Sequence, residues 1–173
     1  MDFFDAVRNR HSVRQYQTRE VEEDKLNTLL EAANAAPSAG NLQAYEIVVV
    51  RDTSTKKALA RAAYGQDFVA EAPVALVFCA DHLLSASKYG RRGAEMYSIQ
   101  DPTIAAAYCQ LAATALGLAT VWIGAFDTRA VAVAVRAPEH VTPVAIVPVA
   151  YAAEEPARTP RRRLDDLLRQ EKF

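Results

Sequence analysis

Cationic side chains gather at two points far apart in this 173-residue chain. Arg10-His11-Ser12-Val13-Arg14 places two guanidinium groups, an imidazole and a hydroxyl within five residues. Arg161-Arg162-Arg163 adds three more guanidinium groups near the other end. A guanidinium fork matches the oxygens of a phosphate and a hydroxyl adds a short bond, so each cluster is a candidate anion donor set. On residue types alone, a solvated basic turn is the more ordinary reading of the first and a solvated basic run of the second. A third stretch, Pro37-Ser38-Ala39-Gly40-Asn41-Leu42-Gln43, combines Gly and Asn, which admit unusual backbone angles, with side chains that donate and accept. It reads as either a ligand-lining turn or an ordinary connection. A fourth, Gly124-Ala125-Phe126-Asp127, leaves a short apolar run, Val121-Trp122-Ile123, with small residues and open backbone.

These residues need elements to carry them. Asp101 to Asp127 organises the chain. Asp101 suits a helix cap and Pro102 a first helical position, and Ile104 to Leu116 is apolar apart from a stripe at Thr103, Gln110 and Thr114. Gly117 suits the C-terminal end of that helix. So short a run does not span a bilayer, which needs roughly 20 apolar residues. A helix apolar almost all round must be covered on every side, by the domain core or by a second copy of itself.

The pattern predicts a helix over Asp2 to Asn9 with Phe3, Phe4 and Val7 on one face, and an amphipathic helix over Val21 to Ala36, closed by Pro37. Strands are expected at Tyr45 to Val50, Val74 to Ala80, Val121 to Ile123 and Val144 to Tyr151, with Pro148 near an edge or bulge. A helix over Thr53 to Tyr64 should be capped by Thr53 or Ser54. Residues 81–100, with Lys88, Arg91, Arg92 and two glycines, read as a surface loop or a lid. Thr128 to Arg136 alternates like a strand, yet Asp127 and Thr128 look like caps, which favours a helix. Residues 152–160 read as a linker and Leu164 to Arg169 as a terminal helix. Four strands and five or six helices in mixed order argue an α+β fold.

Bulk properties narrow the function. Apolar residues make up 51% and charged residues 24%, a globular composition, and a net charge of −1 gives no electrostatic case for nucleic acid or membrane binding. Cys79 and Cys109 sit in apolar runs and read as buried reduced thiols, which together with the acidic N-terminus MDFFDAVRNR points to a cytoplasmic protein without a leader. No Cys/His spacing suggests a metal.

The stretches also line up in a recognisable order. RxSxR appears as Arg10, Ser12 and Arg14; APSxxNxQ as Ala36 to Gln43; GLxxxWIGxF as Gly117-Leu118 and Trp122 to Phe126; PExVxPVAIVPxxY as Pro138 to Tyr151; and a basic cluster before an acidic-leucine stretch as Arg161 to Leu168. In these motifs the whole chain resembles the nitroreductase family of FMN-dependent oxidoreductases. It departs from the family in having Ala44-Tyr45 where many members have Pro-Trp, Ala150 where Gly is usual, and no long insertions.

The resemblance implies one domain over residues 1–173, with 152–173 as an extension. Its fold would be a three-layer sandwich with a mixed, mostly antiparallel sheet, assembled as a homodimer with FMN at the seam. Arg10, Ser12 and Arg14, with Arg161 and Arg162, would hold the flavin phosphate and ribityl chain, and His11 would lie against the flavin. Pro37, Ser38 and Asn41 would arrive from the other subunit. Gln66 would meet the flavin edge, Gly124 and Ala125 would offer backbone N–H groups near N5, and Ile123 beside them would also contact the cofactor. NADH or NADPH would reduce the cofactor, and a small-molecule acceptor such as a nitroaromatic or quinone would reoxidise it by a ping-pong route. The chemistry belongs to the cofactor, so no catalytic side chain is required. The resemblance leaves open a specialised flavoenzyme on the same scaffold (a dehydrogenase, dehalogenase or flavin-cleaving enzyme) or an FMN-storage protein.

Overall fold

The computed structural model describes residues 1–155 and 159–173. Its elements are, in order, α1 (Phe3–Asn9), α2 (Glu23–Asn34), β1 (Tyr45–Val50), α3 (Thr53–Ala62), α4 (Phe68–Glu71), β2 (Val74–Asp81), α5 (His82–Arg92), α6 (Ser98–Ala115), β3 (Ala119–Thr120), α7 (Thr128–Val135), β4 (Val141–Ala150) and α8 (Leu164–Leu167). The expected linker over 152–160 includes residues 156–158, which lie outside the described residues.

β2 explains the layering. Val74 to Ala80 are all buried, so both faces of this strand need cover. Alternate side chains leave on opposite faces. Val74, Leu76 and Phe78 enter one core with α2 and α6, while Ala75, Val77 and Cys79 enter a second with α3, α4 and α7. The result is helices, sheet, helices: the three-layer α+β sandwich. The sheet order is β1-β2-β4-β3 and each pairing is antiparallel. One parallel bridge, Ser12 to Thr120, is added beside β3. Both thiols are buried, which pushes each up to about 12. Among the described residues no helix is long and apolar enough to cross a membrane.

Several sequence expectations need correction. Residues 81–100 are not a loop. They form α5, a π-type turn at Gly93–Tyr97 and the start of α6. The two glycines that suggested a loop have structural tasks. Gly90 kinks the helix at φ 54°, and a Cβ on Gly93 would stand 2.4 Å from the Ser85 carbonyl oxygen. Asp101 is not a cap, nor Pro102 a first residue, because α6 begins at Ser98 and encloses both. The cap of α3 is Asp52, whose carboxylate accepts from Thr55 N–H at 2.7 Å. Only Ala119–Thr120 forms β3. Ile123 adds a separate two-bond bridge to Ile146, each bond 3.0 Å.

Pro148 lies within an inner strand rather than at an edge. Ile146 directs its backbone groups toward Ile123, so Pro148, two residues on, turns the same way. Its missing N–H therefore faces the gap between β3 and the Ile123 bridge. α7 is helical as expected, with Asp127 accepting from Ala130 N–H at 2.9 Å.

A polar cluster closes the α2 side. Tyr151 Oη donates to Glu22 Oε2 at 2.6 Å, Lys25 Nζ donates to Tyr151 Oη at 2.7 Å, and the Arg19 guanidinium lies 3.8 Å from the ring centroid. The Tyr151 hydroxyl chiefly, with Arg19 and Lys25 adding to it, holds the Glu22 carboxyl down to about 2. A depressed carboxyl stabilises the fold at pH above the ordinary carboxylate range, and that contribution is lost as pH falls through about 2. In Tyr151→Phe, the Glu22 midpoint read by NMR should climb toward the ordinary range; an unmoved midpoint would refute the assignment.

Candidate functional site

The first cationic cluster is set in place by a short rail. Val13 is buried and donates its N–H to the Thr120 carbonyl at 3.1 Å, beside the Ser12 bridge. Further on, Gln17 N–H donates to the Tyr151 carbonyl at 2.9 Å and Ala153 N–H to the Gln15 carbonyl at 2.9 Å, around a Tyr16–Ala152 bridge. Residues 12–17 thus bind β3 on one side and the continuation of β4 on the other. The chain leaving β4 is thereby drawn back along the N-terminal segment.

Arg10, His11, Ser12 and Arg14 consequently meet Glu154, Thr159 and Arg161 around one recess of about 430 Å³. Other arginines are committed elsewhere: Arg8 to Asp5 at 2.6 Å, Arg19 to Glu22 at 2.7 Å, and Arg91 to Glu95 at 2.6 Å. Among the described residues, neither Arg10 nor Arg14 nor Arg161 pairs with a carboxylate. Arg161 donates to Thr159 Oγ1 at 2.9 Å. Three unpaired guanidinium groups around one recess are what a multiply charged anion requires.

Of the arginine triplet only Arg161 lines the recess. Arg162 donates to the Asp166 carbonyl at 2.8 Å and Arg163 pairs with Asp165 at 3.3 Å. The Arg14 guanidinium carbon lies 6.0 Å from the Phe68 ring centroid, which sets the start of α4 beside the recess. Gln66, just before it, donates to the Ala63 carbonyl at 2.9 Å and reaches the Ala125 carbonyl at 3.4 Å. Gly124 and Ala125 are exposed, and their N–H groups make no backbone hydrogen bond among the described residues, whereas Ile123 is buried and pinned to Ile146.

The turn at residues 37–43 contributes nothing to the recess lining in this protomer. It is tightly internally bonded. Ser38 Oγ accepts from Gln43 N–H at 3.0 Å and from Gln43 Nε2 at 3.1 Å, and Asn41 Oδ1 accepts from Gln43 Nε2 at 2.7 Å. Gly40, Asn41 and Gln43 all take positive φ, at 57°, 57° and 46°. Pro37 opens the turn and is exposed.

The geometry can be set against known proteins. The profile of the Nitroreductase family matches residues 7–66 and 56–151, most of the chain. The chain belongs to this family. A relative from Thermus thermophilus, NADH dehydrogenase, is 38% identical over 182 residues, covering 90% of this chain and 89% of its own. A Bacillus subtilis relative, FMN reductase (NADPH), is 28% identical over 170 residues, covering 91% of this chain and 68% of its own. The solved structure of the NfrA1 nitroreductase from B. subtilis superposes with a TM-score of 0.91 at 26% identity, over 99% of this chain and 74% of that one.

Sequence reasoning missed three residues of the site. Glu154 reaches back to accept from Arg14 N–H at 3.0 Å, putting a carboxylate inside a cationic recess. Thr159 supports Arg161. Asp101 holds the 37–43 turn, accepting from Ala39 N–H at 2.9 Å. Nothing local marks the first two; Asp101 looked like a cap because Pro102 follows it.

Proposed function

We propose that this chain is an FMN-dependent NAD(P)H oxidoreductase that works as a homodimer and passes electrons to nitroaromatics, quinones or similar small acceptors. The observation that carries the reading is the convergence of Arg10, Arg14 and Arg161, each without a carboxylate ion pair among the described residues, on one recess. The names of the B. subtilis and Thermus relatives support the cofactor and the nicotinamide reductant. FMN, when bound, supplies the hydride chemistry between nicotinamide and acceptor.

The chain's own residues bind and orient. Arg10, Arg14 and Arg161 hold the phosphate, with Ser12 adding a hydroxyl and His11 lining the same recess. Arg162 lies outside the recess lining and donates to the Asp166 carbonyl. The open N–H groups of Gly124 and Ala125, next to buried Ile123, serve as donors to the ring edge, and Gln66 adds a side-chain donor beside them. The turn bearing Pro37, Ser38 and Asn41 completes the site from the second subunit.

The homodimer is supported by an uncovered apolar surface. Phe3, Phe4 and Val7 of α1 are 64%, 67% and 48% exposed, and Tyr108 of α6 is 42% exposed. Between α1 and α6 runs a groove of about 360 Å³, lined by Phe3, Ala6, Tyr108, Leu111, Ala112 and Ala115 among others. Such a contiguous apolar patch marks an interface.

Purified protein tests the reading directly. A yellow preparation should bleach anaerobically with NADH or NADPH and recover with a quinone. Initial rates with both substrates varied should give parallel double-reciprocal lines. A preparation that neither nicotinamide bleaches would overturn the oxidoreductase, and one that ignores added FMN would overturn the cofactor.

A further inference from the structure

The turn at residues 38–43 is held from outside by a residue that touches none of the proposed cofactor groups. Two non-glycine residues in it, Asn41 and Gln43, take left-handed backbone angles, as does Gly40. A segment with that much strain keeps its shape only where its surroundings impose it. Two elements do so. From α5, Lys88 Nζ reaches the Gly40 carbonyl at 3.3 Å, and Tyr89 Oη stands 2.4 Å from where a Cβ on Gly40 would be. From α6, Asp101 Oδ1 accepts from Ala39 N–H at 2.9 Å across 62 residues of chain.

Asp101 is an expensive choice for a spot that is 2% exposed. Its second oxygen, Oδ2, is buried and takes no hydrogen bond among the described residues. A buried carboxylate with one oxygen unanswered lowers stability relative to an apolar side chain of similar size. Capping does not account for it either, because α6 begins at Ser98 and Asp101 lies inside its first turn. What the carboxylate does accomplish is to fix Ala39 N–H, and with it the direction in which Ser38 and Asn41 are presented.

We propose that Asp101 is a positioning residue for the cofactor. By clamping Ala39 N–H it presents the strained 38–41 turn to the flavin ring of the site shared between subunits. This rests on the functional reading above and adds to it a residue that acts at second hand through the backbone.

The test compares Asp101→Ala with Asp101→Asn, which keeps an oxygen acceptor for Ala39. Three readouts apply: melting of the apo protein, FMN and riboflavin titrations, and the visible circular dichroism of bound flavin. Asp101→Ala should melt near the wild type yet bind FMN and riboflavin alike about tenfold or more weakly, with a changed flavin dichroism band. Equal loss for both ligands separates this effect from one at the phosphate. Asp101→Asn should restore affinity and band shape.

If the Ala variant does not fold, amide exchange in the wild-type holoprotein decides. Ala39 N–H should exchange far more slowly than Gly40 N–H. Wild-type flavin affinity and dichroism in Asp101→Ala, an Asn variant no better than Ala, or unprotected Ala39 would each overturn the proposal. A wild-type protein that binds no FMN would instead overturn the functional reading, while the Ala39 exchange rate would still report on the clamp.

Discussion

Replacing Arg161 by Ala is expected to weaken FMN binding by roughly tenfold to a hundredfold, the range a charge-assisted hydrogen bond supplies. Riboflavin, which lacks the phosphate, should bind wild type and variant equally. The contrast matters because Arg161 and Arg10 approach the recess from segments about 150 residues apart, with Thr159 supporting Arg161 by its side chain. Arg10→Ala should reproduce the ligand-selective loss. Arg162→Ala should not, because that guanidinium serves the Asp166 carbonyl. Raising the salt concentration should erode FMN affinity more than riboflavin affinity, since a dianion's attraction to the recess is screened. Equal losses for both flavins in Arg161→Ala would place the phosphate elsewhere.

A carboxylate introduced at Tyr108 should dissociate the dimer and empty the flavin site together. Wild type should run in solution at twice the 18.9 kDa chain mass. Tyr108→Glu should run as a single chain, because a charge buried without a partner costs several kcal/mol. Tyr108 is 42% exposed in one protomer, so the substitution does little to the isolated chain. Phe4→Glu on α1 should act in the same direction. A Tyr108→Glu protein that remains dimeric, or a monomer that still binds FMN normally, would refute a site shared across this surface.

How much of this was legible depends on how far each feature reaches along the chain. β2 announced itself because seven successive buried residues leave few alternatives, and α6 because its apolar run is long and ends at Gly117, which takes φ 74° in the structure. Asp127 settled the ambiguous AVAVAV run by capping α7. The two arginine clusters could be named in advance, but only the rail of bonds from Val13 to Ala153 explains how they meet.

Other features escaped because their cause is tertiary. The helices over 82–97 hide behind glycines whose positions are set by Ser85 and by the kink at Gly90. Asp101 carries the local signature of a cap and spends it on a turn 62 residues away. Glu154 sits in an Ala-Glu-Pro stretch that reads as a spacer, and only its bond to Arg14 N–H reveals it as part of the recess.

The rail also sets an order of events during folding. The recess takes Arg10 from one segment and Arg161 from another about 150 residues further along. Both cores of the sandwich can therefore assemble from residues 1–150 before the closing cation is in place. Capture of an anionic guest becomes a late step that waits on this long-range docking, and a variant cut back before Arg161 should keep the sheet yet fail to retain the guest.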